Sequence, residues 1–224
     1  MVLPGQFLER MVVIPEGELH LEGLYHRGER QPVVIAPPHP QYGGSMDSPV
    51  LNEMAYAFYR LKHASLRFNF KGVGASQGGM TGDPDSAVED YRAVVSQAVL
   101  NSPGFEKVIA AGYSYGAHVA LLTSQADPRV EKLLLVAPPI RLMDFSALRE
   151  TGLETHIIAA GADDYCPLYR LKDIVNENLE HLHLYVIEMA DHFFSRGLGQ
   201  IGTVIREVFA PDGEIIMNDR GDGL

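Results

Sequence analysis

Between two apolar runs the chain reads Gly112-Tyr113-Ser114-Tyr115-Gly116, a Gly-x-Ser-x-Gly pentapeptide. The run before it, Val108-Ile109-Ala110-Ala111, has the character of a buried strand, and the run after it, Ala117-His118-Val119-Ala120-Leu121-Leu122, reads as a helix. A strand that turns sharply into a helix at this point holds the serine in a strained backbone conformation and points its hydroxyl out of the sheet. Glycine flanks it on both sides because a side chain at either place would collide with the neighbouring strand or helix. The start of the helix adds free N–H groups and partial positive charge where an oxyanion would form. The pentapeptide alone recurs by chance in many chains, and its strand–turn–helix setting is what gives it weight.

The rest of the chain repeats that alternation. Residues 12–25, with Glu16-Gly17 between their halves, suggest a hairpin, and Val33-Val34-Ile35-Ala36 is a short buried strand. Ser48-Pro49 and Asp83-Pro84 each read as an N-cap followed by proline at the first helical position. Apolar residues then recur at helical spacing, Val50, Leu51, Met54, Phe58 and Leu61 in one case and Ala87, Val88, Tyr91, Val94, Val95, Ala98 and Val99 in the other. Further strands are expected at 66–70, 132–136, 155–160 and 182–187, with helices over 168–178 and around Ile201 to Val208. The strands from Val33 onward are continuous apolar runs, the pattern of a parallel sheet covered on both faces. The expected organisation is one α/β domain over 1–210 and a polar, glycine-rich tail over 211–224.

With 224 residues, 46% of them hydrophobic, the chain can bury a normal core. Its formal net charge of -11 leaves no basic stripe to neutralise phosphates, which argues against nucleic acid and against anionic lipid. The lone Cys166 permits no intramolecular disulfide, and no apolar segment approaches bilayer-spanning length. The expectation is a soluble, cytoplasmic protein whose oligomeric state the sequence leaves open.

A serine hydroxyl is a weak nucleophile near neutral pH and needs a base, which in turn needs an acid to fix its tautomer. In a parallel sheet these groups should lie just beyond the carboxyl ends of later strands. His192 follows the strand ending at Ile187, whereas Asp163 and Asp164 both follow the strand ending at Ala160, so either could be the acid. Asp191, next to His192 in sequence, is poorly placed to bond that imidazole, and His118, one turn beyond Ser114, reads as helix packing. An oxyanion hole needs two backbone N–H groups. Tyr115 should supply one, and the loop after the first buried strand the other, where Pro40 has no N–H and leaves Gln41 or Tyr42.

On these residues the chain resembles the α/β-hydrolase superfamily, whose triads run Ser, Asp, His along the chain. More narrowly it resembles the small cap-less bacterial members near dienelactone hydrolase. The resemblance covers residues 33–209 and rests on His39-Pro40-Gln41-Tyr42-Gly43-Gly44, Arg67-Phe68-Asn69-Phe70-Lys71-Gly72-Val73-Gly74, the elbow pentapeptide, Gly161-Ala162-Asp163-Asp164-Tyr165-Cys166-Pro167 and Ala190-Asp191-His192-Phe193-Phe194. It implies a mostly parallel sheet with helices on both faces and a catalytic triad of Ser114, Asp163 and His192. Spacing to Pro167 selects Asp163 over Asp164, the family pattern selects Gln41 beside Tyr115 in the oxyanion hole, and His39 becomes a loop-holding residue. Dienelactone hydrolase itself carries cysteine at the elbow; with Ser114 there, general ester hydrolysis carries over and the lactone does not.

Between Pro139 and Glu154 there is room for one short helix at most, around Phe145 to Arg149, where many α/β-hydrolases insert a lid. A site without a lid favours small or extended esters. Tyr42, Tyr113 and Phe193 are expected to bind substrate, with Met46, Met80, Tyr115 and Met143 completing a shallow apolar pocket. No cofactor is expected. Gly72-Val73-Gly74-Ala75-Ser76-Gln77-Gly78 misses the dinucleotide fingerprint by one residue, and His181-x-His183 lacks a third metal ligand nearby.

Overall fold

A computed structural model describes residues 7–175 and 180–211. The expected tail beyond Pro211 and the last residues of the 168–178 helix lie outside that range. An eight-stranded sheet runs in the order β1-β2-β4-β3-β5-β6-β7-β8. Strands β1 (Arg10–Glu16) and β2 (Leu19–His26) form the antiparallel hairpin, closed at Gly17 with φ +58°. β2 pairs antiparallel with β4 (His63–Phe68). From there β3 (Arg30–Ala36), β5 (Val108–Tyr113), β6 (Val130–Val136), β7 (Glu154–Ala160) and β8 (Leu182–Ile187) are parallel.

Helices cover both faces, which is why the central strands carry no polar alternation. Helix α1 (Pro49–Arg60) and helix α5 (Leu198–Phe209) pack over one face through Leu51, Met54, Phe58, Ile201 and Ile205. Helices α2 (Pro84–Asn101), α3 (Tyr115–Ala126) and α4 (Leu168–Val175) cover the other through Tyr91, Val94, Val119, Leu121 and Leu171. The Asp83 carboxylate caps α2 by accepting the Ser86 N–H at 3.0 Å, whereas Ser48 precedes α1 without a side-chain cap bond. Among the described residues no helix is long and apolar enough to cross a membrane.

One buried hydroxyl ties α2 to the middle of the sheet. Tyr91 is fully buried; its hydroxyl accepts the Ala111 N–H at 3.0 Å and donates to the Val34 carbonyl at 2.7 Å. Removing the oxygen takes a hydrogen-bond partner from a buried N–H within β5, three residues before Ser114. Tyr91→Phe is expected to destabilise the protein by about 1–3 kcal/mol, read as a lower midpoint in urea at unchanged m-value.

Candidate active site

The elbow is built by close approach. Ser114 sits between β5 and α3 at φ 55°, ψ -118°, a conformation that L-residues rarely adopt and that stores about 1–3 kcal/mol. A Cβ on Gly112 would lie 2.1 Å from the Gly116 carbonyl oxygen. One on Gly116 would lie 2.3 Å from the Ala36 oxygen and 2.6 Å from that of Pro37, so the first turn of α3 rests on the end of β3. The Ser114 N–H is held by the Val136 carbonyl at 2.9 Å. Of the four non-glycine residues with positive φ among the described residues, three (Ser114, Ala137 and Phe194) lie in turns around this end of the sheet.

The loops after β7 and β8 are laced to each other before either side chain reaches the serine. Gly161 N–H donates to the Ile187 carbonyl and Ala162 N–H to that of Ala190, both at 2.9 Å. This brings Asp163 and His192 side by side. Asp163, 6% exposed, accepts the Tyr165 and Cys166 N–H groups on Oδ1 at 2.7 and 3.1 Å, and its Oδ2 lies 2.7 Å from His192 Nδ1. His192 Nε2 lies 2.9 Å from Ser114 Oγ. A carboxylate only accepts, so Nδ1 carries the proton and Nε2 is left with its lone pair toward the serine. Asp164 is exposed, and its backbone carbonyl accepts from Arg141 Nη1 at 3.4 Å; Asp191 accepts the Ser195 N–H at 2.9 Å.

Aromatic rings fix the imidazole. Tyr165, Phe193 and Tyr113 approach it with centroids at 4.8, 5.4 and 5.7 Å. The Tyr113 hydroxyl also donates to the His192 carbonyl at 3.0 Å, tying the loop after β8 to the strand that carries the serine. Cys166 is fully buried, and burial together with the Asp163 charge pushes its thiol up to about 12, so it is no competing nucleophile.

Ser114 and His192 open on a cleft of about 830 Å³. Tyr42, Tyr113, Tyr115, Met143 and Phe193 line it as the sequence suggests; Tyr42 and Phe193 stand largely exposed at its rim. Met46 and Met80 do not line it: Met46 is buried in the core against α1, and Met80 stands exposed outside the cleft. Sequence reasoning missed Pro139, Leu142 and Tyr165, although their positions just past strand ends were a usable signal.

Gln41 requires correction. It lies outside the cleft lining, in a 3₁₀ turn over Pro40–Tyr42, and its N–H points back to His39 Nδ1 at 3.2 Å. The Tyr42 N–H is likewise committed, to the His39 carbonyl at 3.1 Å. The His39 N–H has no acceptor among the described residues, and His39 does line the cleft. The His39 ring packs between Tyr42 and Tyr115, and burial holds its pKa below the ordinary value.

The glycine-rich loop after β4 is a structural fastening. The Glu22 carboxylate receives the Asn69 side-chain amide at 2.7 Å and the Ala75 N–H at 2.6 Å, and Asn69 Oδ1 receives the Met46 N–H at 2.7 Å, which ties this loop to the cleft wall. His118 packs on Phe145, as a helix-face residue should. His183 stacks on His156 with centroids 4.9 Å apart, while His181 Nε2 lies 3.2 Å from the Leu148 carbonyl.

Residues 42–183 match the Hydrolase_4 family, described as serine aminopeptidase, S33. The chain is 30% identical over 195 residues to an uncharacterized protein of Rickettsia prowazekii, spanning 80% of this chain and 79% of that one. An α/β serine hydrolase homologue from Coxiella burnetii superposes with a TM-score of 0.77 at 25% identity, covering 94% of this chain and 100% of its own. A serine hydrolase without a lid from Xanthomonas campestris gives a TM-score of 0.79 at 24% identity, covering 92% and 95%, and so supports the fold.

Proposed function

The chain belongs to the Hydrolase_4 family of serine α/β-hydrolases, and from that premise we propose that it cleaves small carboxylic esters with Ser114, His192 and Asp163 as its triad. The observation that carries this reading is the unbroken relay of 2.9 Å from Ser114 Oγ to His192 Nε2 and 2.7 Å from His192 Nδ1 to Asp163 Oδ2. Ser114 Oγ attacks the ester carbonyl while His192 Nε2 takes its proton. Asp163 stabilises the imidazolium through the Nδ1–H bond and keeps the ring in the tautomer that can accept. The tetrahedral oxyanion lies against the Tyr115 N–H at the start of α3 and the His39 N–H, both from residues that line the cleft and neither given an acceptor among the described residues. His192 then returns the proton to the departing alkoxide, leaving an acyl-Ser114. Water then attacks the acyl-Ser114 carbonyl as His192 takes its proton, and the acid is released as Ser114 recovers its own.

The open mouth supports small or extended esters. The segment between β6 and β7 carries only a 3₁₀ turn, Ser146–Arg149, and leaves the cleft uncovered. Removing one partner of a triad abolishes labelling by reagents that need the activated hydroxyl. A fluorophosphonate probe is expected to label the native protein at Ser114 and to leave Ser114→Ala unlabelled. Absence of label on the folded native protein would overturn the reading. Aryl acetates, acyl thioesters and aminoacyl anilides assayed side by side are expected to rank in that order, the reverse ranking pointing to a peptidase.

A further inference from the structure

Among the described residues that line the cleft, apart from the two imidazoles, one side chain carries a formal charge, and it is negative. Asp47 lines the cleft just ahead of α1, is exposed, and has no ion pair among the described residues. Its backbone is pinned, with the N–H on Ser45 Oγ at 3.3 Å and the carbonyl on Asn52 Nδ2 at 3.4 Å, so the carboxylate has a fixed origin and a free head. No lysine or arginine lines the cleft among the described residues. The His39 Nδ1 accepts the Gln41 N–H at 3.2 Å, and burial lowers the ring's pKa, both of which disfavour a cation there. Arg141 lines an adjoining depression that shares Leu142, Tyr165, His192 and Phe193 with the cleft, and there the carboxylates of Asp164 and Asp191 line it too and outnumber the one cation. Five aromatic residues, Tyr42, Tyr113, Tyr115, Tyr165 and Phe193, share the wall with apolar residues such as Leu142 and Met143.

A carboxylate in a cleft that also presents aromatic rings attracts a cation through its charge and repels an anion, and the ring faces add to the attraction for the cation. The chain's net charge of -11 acts in the same direction at longer range. We propose that Asp47 is a specificity-determining residue, and that the cleft selects esters whose non-reacting part carries an ammonium group and rejects those that carry a carboxylate. This rests on the ester-hydrolase reading above and deepens it.

The test compares butyrylcholine, its uncharged carbon isostere 3,3-dimethylbutyl butyrate, and the monoethyl ester of succinate by pH-stat at low ionic strength. A unit charge held about 6 Å from a solvated carboxylate changes kcat/KM roughly threefold, so the cation-to-anion ratio, each referred to the neutral ester, should be about tenfold or more. In Asp47→Asn that ratio should fall by at least threefold. In the native protein it should also fall on raising the salt to about 1 M, where the Debye length is about 3 Å. An anionic ester hydrolysed as well as the cationic one, or a ratio unmoved by both salt and Asp47→Asn, overturns the charge selection while leaving ester hydrolysis intact. Failure of all three esters together with an aryl acetate overturns both readings.

Discussion

Alanine at His192 is expected to lower kcat on an aryl acetate by a factor on the order of 10⁶, and alanine at Ser114 by about the same factor. The expectation follows from how the two groups are joined. His192 Nε2 is the acceptor facing Ser114 Oγ at 2.9 Å, and without it the hydroxyl keeps its proton and its ordinary weak nucleophilicity. Because the pair acts as one unit, Ser114→Ala/His192→Ala should be no slower than either single variant, leaving a residual acceleration of about 10³–10⁴ over water from the remaining N–H donors and binding. Steady-state kinetics on the three variants, with thermal melts to verify folding, decide the matter. A His192→Ala loss under about a hundredfold, or additive losses in the double variant, would remove the base from the mechanism.

That pair was legible in the sequence because strand ends are. The strands β5, β7 and β8 all end in apolar runs, so the residues that follow them could be named from the sequence: Ser114, the Asp163–Asp164 pair and His192. Choosing within the aspartate pair was beyond residue chemistry. It depends on a turn in which Oδ1 of one carboxylate collects the Tyr165 and Cys166 N–H groups, which aims Oδ2 at the imidazole. Gln41 was misread for the opposite reason. Counting N–H groups along the chain cannot give their direction, and the 3₁₀ turn at Pro40–Tyr42 folds the Gln41 donor onto its own neighbour's ring. Met46 and Met80 show the same limit for apolar residues. Both flank the site in sequence, yet one is drawn into the core with α1 and the other stands outside the cleft, a choice made by tertiary packing and not by hydrophobicity.

Asparagine at position 163 is expected to cost about 10⁴-fold in kcat while leaving the fold and KM nearly unchanged. The side-chain oxygen of asparagine can keep the two N–H bonds that Asp163 Oδ1 now accepts at 2.7 and 3.1 Å, so the turn has no reason to open. The amide nitrogen then faces His192 Nδ1, where the carboxylate oxygen stood at 2.7 Å. Two donors cannot share that bond, so the imidazole must place its proton on Nε2 and present an N–H to Ser114 instead of a lone pair. The base is thereby lost without moving an atom of the backbone. Asp164→Asn, one residue away on an exposed side chain, should stay within about twofold of the native enzyme, since it touches neither the ring nor the serine. Kinetics separate the two outcomes, and the imidazole N–H resonances read the tautomer directly by ¹⁵N NMR. Equal losses at both positions, or an unchanged tautomer in Asp163→Asn, would show that Asp163 does not set the state of the base.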